Sequence, residues 1–434
     1  MSNNFKYGVV SISACVMALL LAGAVLGQNP ESNPADPYRH INVFTEVFAK
    51  IKADYVEEPD MKNVTLGAVN GLLVSIDPFA SYLNADQYKQ YLKTKDNPKA
   101  GVGLILSRKY GYELGVVDAV PGSPADKAGL STGDIIEAIN GISTRDMPLA
   151  YADVVLHGDE GSTVEMTVLR LRKPEPEKLT LTRAKLAPPP LEAKMLDAET
   201  GYIAAEDLTA GKSALVQAAI AKLVKSGAKK LVLDVRHSAI STPEEGVALA
   251  NLFLEKGTIG SVSGQKVKKQ VFEADPAKAV FKGPLVVLTN RGTTGAGEVA
   301  AAALMENQRA QVVGERTYGD AALRKAVPTE DGGAVLLAVA KYYSPQGKAI
   351  QDVSVTPGFA VTDTEPQAAD TDDDATAAPA PTAPKPAERT KEDQILKKGL
   401  EVLAGKTTQA AAGAKAAGQG QALGTLNVPV PPQH

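Results

Sequence analysis

The sequence predicts an α/β protein: a mixed sheet with helices on its faces, a glycine-punctuated β-rich segment set into the chain, and a helical region before both. Three stretches carry that expectation. Leu285–Thr289 is an apolar strand that runs into a Gly/Thr turn and then an alanine-rich helix. Around it, residues 187–361 alternate short apolar runs with amphipathic ones, as strands and their covering helices do. Residues 98–186 are broken at short intervals by Gly, Pro or Asn-Gly, as short strands joined by tight turns are.

A chain of 434 residues has room for two or three domains, each able to bury its own core. Hydrophobic content of 44% and charged content of 22% match ordinary soluble protein. A net charge of −4, with no basic patch or aromatic-interleaved stripe, gives no case for nucleic acid as a partner. The single cysteine, Cys15, lies in the N-terminal apolar run, so no disulfide or thiol chemistry is expected of the folded part. His40, His157 and His434 have no metal-ligand spacing, and neither metal nor cofactor is expected.

Residues 1–27 read as an export signal or an uncleaved anchor. Lys6 supplies a positive start, Val9 to Leu26 is almost wholly apolar, and Ala22-Gly23-Ala24 offers small residues for cleavage. Either way the bulk of the protein is expected outside the cytoplasm, in a bacterial periplasm or cell envelope. Residues 38–97 form a helical region. Val43, Phe44, Val47, Phe48 and Ile51 recur at helical spacing over Asn42–Tyr55, and a second helix covers Val64–Ile76 until Asp77-Pro78 breaks it. Ala80–Leu83 is expected to begin a loop and a short helix.

In residues 187–361, Tyr202–Ala204 reads as a strand, Leu208–Ser226 as an amphipathic helix ended by Gly227, and Lys230–Arg236 as a central strand covered on both faces. A helix over Glu244–Glu255 follows, then strands at Thr258–Val262, Gln265–Phe272 and Leu285–Thr289. The alanine-rich helix Glu298–Met305 precedes strands at Gln311–Gly314 and Val335–Tyr343. Residues 362–390 are Asp-, Thr-, Ala- and Pro-rich and read as a disordered linker. Residues 391–434 hold a short amphipathic helix, Glu392–Leu403, and a low-complexity tail.

The run Gly101-Val102-Gly103-Leu104-Ile105-Leu106, with Gly122-Ser123-Pro124-Ala125, Ala128-Gly129-Leu130, Gly133-Asp134-Ile135-Ile136 and Ile139-Asn140-Gly141, makes residues 98–186 resemble a PDZ domain. The resemblance implies that the glycine turn captures a terminal carboxylate through backbone N–H groups. It also implies that the strand from Leu104 accepts an extended peptide at its open edge. Gly101, Val102, Gly103, Leu104 and Ile105 are the implied peptide-binding residues, and protein C-terminal tails the implied partners. The bland alternative is a PDZ fold whose groove is filled by its own chain or that serves as a spacer.

A second resemblance covers about residues 40–361. Asn290, Gly292, Thr293, Ala296 and Glu298, followed by Gly314, Thr317, Tyr318 and Gly319, match the active-site frame of the C-terminal (tail-specific) processing peptidases, PDZ-containing serine peptidases. The N-terminal run to Ile76-Asp77-Pro78 and Ser81-Tyr82-Leu83, and Lys341–Gln351, resemble the same family. Its pattern places a Ser, a Lys and a Gln where this chain has Gly295, Asp320 and Arg324. The family's L-D-x-R-x-N-P-G-G run becomes Leu233-Asp234-Val235-Arg236-His237-Ser238-Ala239-Ile240-Ser241, which keeps the first half and loses the glycines.

A Ser/Lys peptidase needs an alcohol at the turn, a neutral lysine to take its proton, and N–H groups aimed at the oxyanion. Gly295 has no hydroxyl, Asp320 carries the opposite charge to a protonated lysine, and Arg324 is no base near neutral pH. The expected protein is therefore a catalytically degenerate member that binds C-terminal tails as scaffold, decoy or regulator of an active partner. The alternative is an active serine-type endopeptidase with relocated groups. Thr293 or Thr294 with Lys325, an Asp320/Glu298 carboxylate pair, and His237 beside Ser238 are the candidates for that chemistry. An Asp320–Arg324 salt bridge is expected in place of the lost dyad.

Overall fold

The computed structural model describes residues 37–96, 100–108, 113–170, 175–187, 189–362 and 393–406. The export signal or anchor, the linker beyond Thr362 and the tail after Lys406 lie outside them. The chain forms two compact units, Met1–Ala68 and Val69–His434. The first holds helix α1 (Pro37–Asp54), where Phe44 and Phe48 stack at 6.4 Å. Helix α2 (Met61–Ile76) starts ahead of the predicted Val64 because the Asp60 carboxylate accepts from the N–H groups of Lys62 and Asn63.

Ala80–Leu83, expected to begin a loop and a short helix, holds strand β1 (Ser81–Leu83), antiparallel to Ala334–Leu336, ahead of the helix. Helix α3 (Ala85–Asp96) follows. Its entry is a reciprocal cap, in which Gln87 N–H donates to Asn84 Oδ1 (3.0 Å) and Asn84 N–H to Gln87 Oε1 (3.1 Å).

The β-rich segment contains β2 (Ala100–Gly101), β3 (Leu104–Ser107), β4 (Leu114–Ala119), α4 (Pro124–Lys127), β5 (Ile135–Ile139), β6 (Ile142–Ser143), α5 (Leu149–Leu156), β7 (His157–Gly158), β8 (Thr163–Leu169) and β9 (Glu177–Thr182). Its antiparallel sheet runs β3-β4-β5-β8-β9, with β6 beside β5. Leu114, Ile136, Ile139, Leu156, Val164 and Val168 are fully buried inside it, a core separate from that of the α/β body.

The body begins with β10 (Glu192–Met195), β11 (Thr200–Ala204), β12 (Asp207–Leu208), α6 (Lys212–Lys225), β13 (Lys230–Asp234), β14 (Ile240–Ser241) and α7 (Pro243–Asn251). It continues with β15 (Thr258–Ser263), β16 (Gln270–Glu273), β17 (Leu285–Thr289), α8 (Gly295–Glu306), β18 (Gln311–Gly314), β19 (Ala322–Pro328), β20 (Ala334–Tyr343), α9 (Ile350–Val353) and β21 (Phe359–Ala360). Helix α10 (Gln394–Leu403) lies beyond the linker. The main sheet runs β10-β11-β13-β17-β18-β21, antiparallel at β10/β11 and parallel elsewhere. A second, antiparallel sheet runs β1-β20-β15-β16, with β19 also on β20.

The mixed α/β sheet with covering helices is as expected. Several bounds differ. The helix predicted from Leu208 starts at Lys212, because Asp207–Leu208 pairs with Ile240–Ser241. The central strand stops at Asp234 rather than Arg236, whose guanidinium turns back onto that aspartate. The helix over 244–255 ends at Asn251, the strand from Gln265 starts at Gln270, and β19 was not predicted at all.

The apolar runs of β11, β13 and β17 follow from burial on both faces. Ile203, Leu231, Leu233, Leu285 and Val287 face α6, α7 and α8, packing among Leu223, Leu249, Val299 and Leu304. The alternate residues Tyr202, Val232, Val286 and Leu288 face Ile395, Leu396 and Leu400 of α10. A Cβ on Gly399 would stand 2.7 Å from Leu288 Cδ2, so this helix lies directly on the sheet.

Helix α8 is buried along nearly its whole length, from Gly295 to Leu304. Its alanine content matches that confinement, and α7 presses closest: a Cβ on Gly246 would run into the backbone carbonyl of Ala296. We expect Gly246→Ala to cost about 2 kcal/mol through overpacking. Gly71→Ala on α2, where nothing stands within 4 Å of the added carbon, should be neutral or stabilising by up to about 1 kcal/mol. Urea unfolding of the two variants checks the contrast.

Candidate functional site

The junction of β17 and α8 is built by its turn. Asn290 N–H donates to Thr293 Oγ1 (3.1 Å), Thr293 N–H to Asn290 O (3.0 Å), and Thr293 Oγ1 to the carbonyl of Val235 (2.9 Å). Gly292 N–H donates to Asn290 Oδ1 (3.0 Å). Gly295 opens α8 in the left-handed region, φ +45°, which favours glycine. Its N–H donates to the carbonyl of Asp320 (3.2 Å), so the two positions are adjacent through their backbones.

The loop that carries Asp320 hangs on one carboxylate. Glu298, fully buried in the first turn of α8, accepts from Thr317 Oγ1 (2.5 Å), Gly319 N–H (2.6 Å) and Asp320 N–H (2.7 Å). Burial raises it to about 7, against the pull of these three donors. Its oxygens serve the loop backbone and Thr317, so Glu298, one candidate of an Asp320/Glu298 pair activating water, forms a structural clasp.

Asp320 and Arg324 meet, as expected of these positions. Arg324 Nη2 lies 2.5 Å from Asp320 Oδ1, with both side chains roughly one-quarter exposed. The contact is one of charge rather than alignment, since neither atom makes a well-directed hydrogen bond. The Arg324 guanidinium also sits over the Phe79 ring at 4.4 Å, and Phe79 meets Tyr318 edge-on at 5.9 Å.

The groups proposed to rescue catalysis are not brought together. Thr293 Oγ1 is spent on Val235 O, and Thr294 Oγ1 stands 3.4 Å from the carbonyls of Ser238 and Ala239. Lys325 is exposed on β19, one residue along from Arg324. Ser238 is buried and donates to Val235 O (2.7 Å), not to His237.

His237 is more than the loop residue its sequence suggests. It is left-handed, φ +57°, and its ring bridges two elements: Nδ1 stands 3.0 Å from Asp118 Oδ1, and Nε2 3.1 Å from Asn290 Nδ2. Asn290 Oδ1 accepts from His237 N–H and Gly292 N–H, which fixes the amide so that Nδ2 donates to Nε2. Burial works against the imidazolium, but the Asp118 carboxylate outweighs it, and the imidazole is held above its ordinary range. Asp118 comes from β4 of the PDZ-like segment. A Cβ on Gly292 would meet its carboxylate at 2.6 Å, so the turn admits the aspartate only because residue 292 is glycine. Val117 buries with Phe79 and Tyr318, and Ile105 and Leu149 pack against them.

The retained Asp234 and Arg236 serve the frame. Asp234 accepts from Tyr202 OH (2.9 Å) and Arg236 Nη2 (2.6 Å), and Arg236 reaches Asp393 at 2.7 and 3.0 Å. Asp393 also caps α10 through Leu396 N–H (2.8 Å), which ties that helix to the site loop.

Ser241, on β14, is the residue the sequence reading passed over. Its Oγ accepts from Ala296 N–H (3.2 Å) and lies 3.4 Å from Thr294 O. The signal was present, since Ser241 stands where the family pattern has glycine. For Asp118 no local signal existed, because its partner lies 119 positions away.

In the expected peptide groove, Gly103 is left-handed (φ +74°), and a Cβ there would strike Ser123. The carbonyls of Val102 and Gly103 accept from Ala125 (2.9 Å) and Val120 (2.8 Å), while Gly101 exchanges two backbone bonds with Ala184. Leu104 is buried and Ile105 half-buried on β3, which lies at one end of its sheet.

A peptide-groove fold docked on a strand–turn–helix junction defines a PDZ-bearing protein of the serine-peptidase type. Residues 199–361 match the model of peptidase family S41, and residues 115–170 that of a PDZ domain. The chain is 30% identical over 353 residues to the carboxy-terminal processing protease CtpA of Bacillus subtilis (strain 168), covering 80% of this chain and 74% of that one. It is 31% identical over 314 residues to the carboxyl-terminal-processing protease of Synechocystis sp. (strain ATCC 27184 / PCC 6803 / Kazusa), covering 71% and 73%. Among solved structures, the photosystem II D1 C-terminal processing protease superposes with a TM-score of 0.60 at 26% identity, over 74% of this chain and 92% of that one. The chain belongs to the family of PDZ-containing C-terminal processing peptidases.

Because burial raises the Glu298 carboxyl, its contribution to stability is full below the ordinary carboxylate range and is lost as pH rises through about 7. Glu298→Gln removes that dependence. Its stability relative to the natural protein should improve by about 3 kcal/mol between pH 4 and pH 8. Denaturant midpoints of both proteins across that range check the sign.

Proposed function

We propose that this protein is an exported, catalytically silent member of its family, which binds the C-terminal tails of other proteins through its PDZ groove. It acts as a scaffold, a decoy or a regulator of an active partner peptidase. One observation carries the reading: the site frame is intact while its three reacting positions hold Gly295, Asp320 and Arg324. The clasp at Glu298, the turn at Asn290–Thr293 and the backbone contact of Gly295 with Asp320 are all formed. A hydroxyl at 295 and a neutral lysine at 320 are both missing, and the Arg324 guanidinium neutralises the aspartate in the lysine's place.

Binding needs less than catalysis. It requires an open strand edge and a turn able to hold a carboxylate, and the end position of β3 in its sheet with the left-handed turn at Gly103 supports that reading. The apolar run over Val9–Leu26 supports export to the periplasm or cell envelope, with the PDZ domain and body outside the cytoplasm.

The second reading is an active serine-type endopeptidase with a relocated nucleophile, and the placement of Ser241 beside Gly295 favours it. It lacks a base: the Ser241 hydroxyl lies against a backbone N–H and a carbonyl, neither of which takes its proton.

The test incubates the purified protein with an unstructured polypeptide ending in three apolar residues, and with the same polypeptide amidated at its C-terminus. Micromolar binding is expected, with roughly tenfold or greater loss on amidation, and no shortened product in the mass spectrum. A product truncated near the C-terminus, at a rate that follows the protein through purification, would overturn the silent reading. Equal binding of the amidated form would overturn tail capture.

A further inference from the structure

We propose that Ser241 is a built-in stopper of the former nucleophile position: its hydroxyl fills the space beside Gly295 and engages the Ala296 N–H group in the first turn of α8. The proposal rests on the silent reading above and adds to it. On this account the site is closed by an added group as well as emptied of its reacting ones.

The geometry is local and direct. A Cβ placed on Gly295 would stand 2.5 Å from Ser241 Oγ, well inside ordinary contact, and 3.7 Å from the carbonyl of Asp320. A hydroxyl therefore already occupies the place that a side chain at 295 would enter. It is held there by backbone on both sides. Leu208 and Ser241 are register partners in the β12–β14 pair, and Thr242 N–H donates to Leu208 O (3.1 Å).

The N–H groups that open a helix have no partner inside it and need an acceptor from outside. Thr294, at the N-cap position, makes no side-chain cap bond. Its hydroxyl is turned toward the Ser238 and Ala239 carbonyls instead. Ser241 Oγ supplies the acceptor for Ala296 N–H at 3.2 Å. An oxyanion hole depends on such an N–H standing free and pre-organised until negative charge develops beside it. With Ser241 in place, that donor is committed in the resting protein.

Putting the reacting groups back is therefore insufficient. Serine at 295 would compete with Ser241 for the same volume, and a substrate carbonyl would compete with it for Ala296 N–H. Glycine at 241 relieves both conflicts.

The experiment compares four full-length proteins: the natural chain, Ser241→Gly, the triple variant Gly295→Ser/Asp320→Lys/Arg324→Gln, and that triple variant with Ser241→Gly. Each is treated with a fluorophosphonate, from which a serine oxygen displaces fluoride, and labelling is read by intact mass. The natural chain and Ser241→Gly should stay unlabelled. The quadruple variant should label roughly tenfold or more faster than the triple. Equal rates for those two would overturn the stopper. Labelling of the natural chain that Ser241→Gly abolishes would make Ser241 the nucleophile, ending both the stopper and the silent reading. Labelling of the natural chain that persists in Ser241→Gly would sink the silent reading alone.

Hydrogen exchange decides the matter if neither restored variant reacts. The amide of Ala296, followed in the peptide spanning residues 293–299, should exchange about tenfold faster in Ser241→Ala than in the natural chain. Ser241→Thr, which keeps the hydroxyl, should restore protection. Exchange unchanged by Ser241→Ala would overturn the proposal, because Ala296 N–H would then have a different acceptor.

Discussion

The buried carboxylate of Glu298 is the contact on which the site frame depends. It sits in the first turn of a helix with no room around it, and it collects a hydroxyl and two backbone N–H groups from the loop over 317–320. Those donors fix where residue 320 lies relative to residue 295. The helix is in turn fixed by β17 and by the bare backbone of α7 at Gly246. Removing Glu298's acceptors would strand three donors in the interior, a cost far above that of losing any exposed side chain.

The frame is separate from the side chains at 295, 320 and 324. None of the frame's hydrogen bonds uses the side chain at 295, 320 or 324. Gly295 and Asp320 contribute backbone atoms, while Arg324 stacks on Phe79 and balances the charge of Asp320. A salt bridge of this exposure adds little to stability, but an uncompensated charge in its place would cost more. The Asp320–Arg324 ion pair is thus one that the surrounding packing tolerates.

The PDZ domain is joined to the same frame. Asp118 reaches the His237 ring, Asn290 holds the ring's other nitrogen, and Gly292 leaves space for the carboxylate. Val117, Phe79 and Tyr318 form an apolar contact beside it, with Ile105 of β3 packed against them. Strand β3 and the loop that carries Asp320 therefore share a single cluster of side chains. On the opposite face of the main sheet, Arg236 couples the strand end to α10 through Asp393.

The α/β body, the PDZ domain and the strand–turn–helix junction were all legible in the sequence, because each is written locally. Period-2 and period-3.6 patterns, glycines at tight turns and motif spacing survive without any knowledge of packing. Bounds were misjudged where a distant partner decided them: Ser81–Leu83 is a strand because β20 lies beside it, and Leu208 leaves its helix to pair with Ser241. Only the tertiary structure could place the Asp118 carboxylate against His237, the Ser241 hydroxyl against Ala296, and α10 against β17. These contacts join residues far apart in the chain, and their existence depends on how separately encoded elements pack, which no local pattern records.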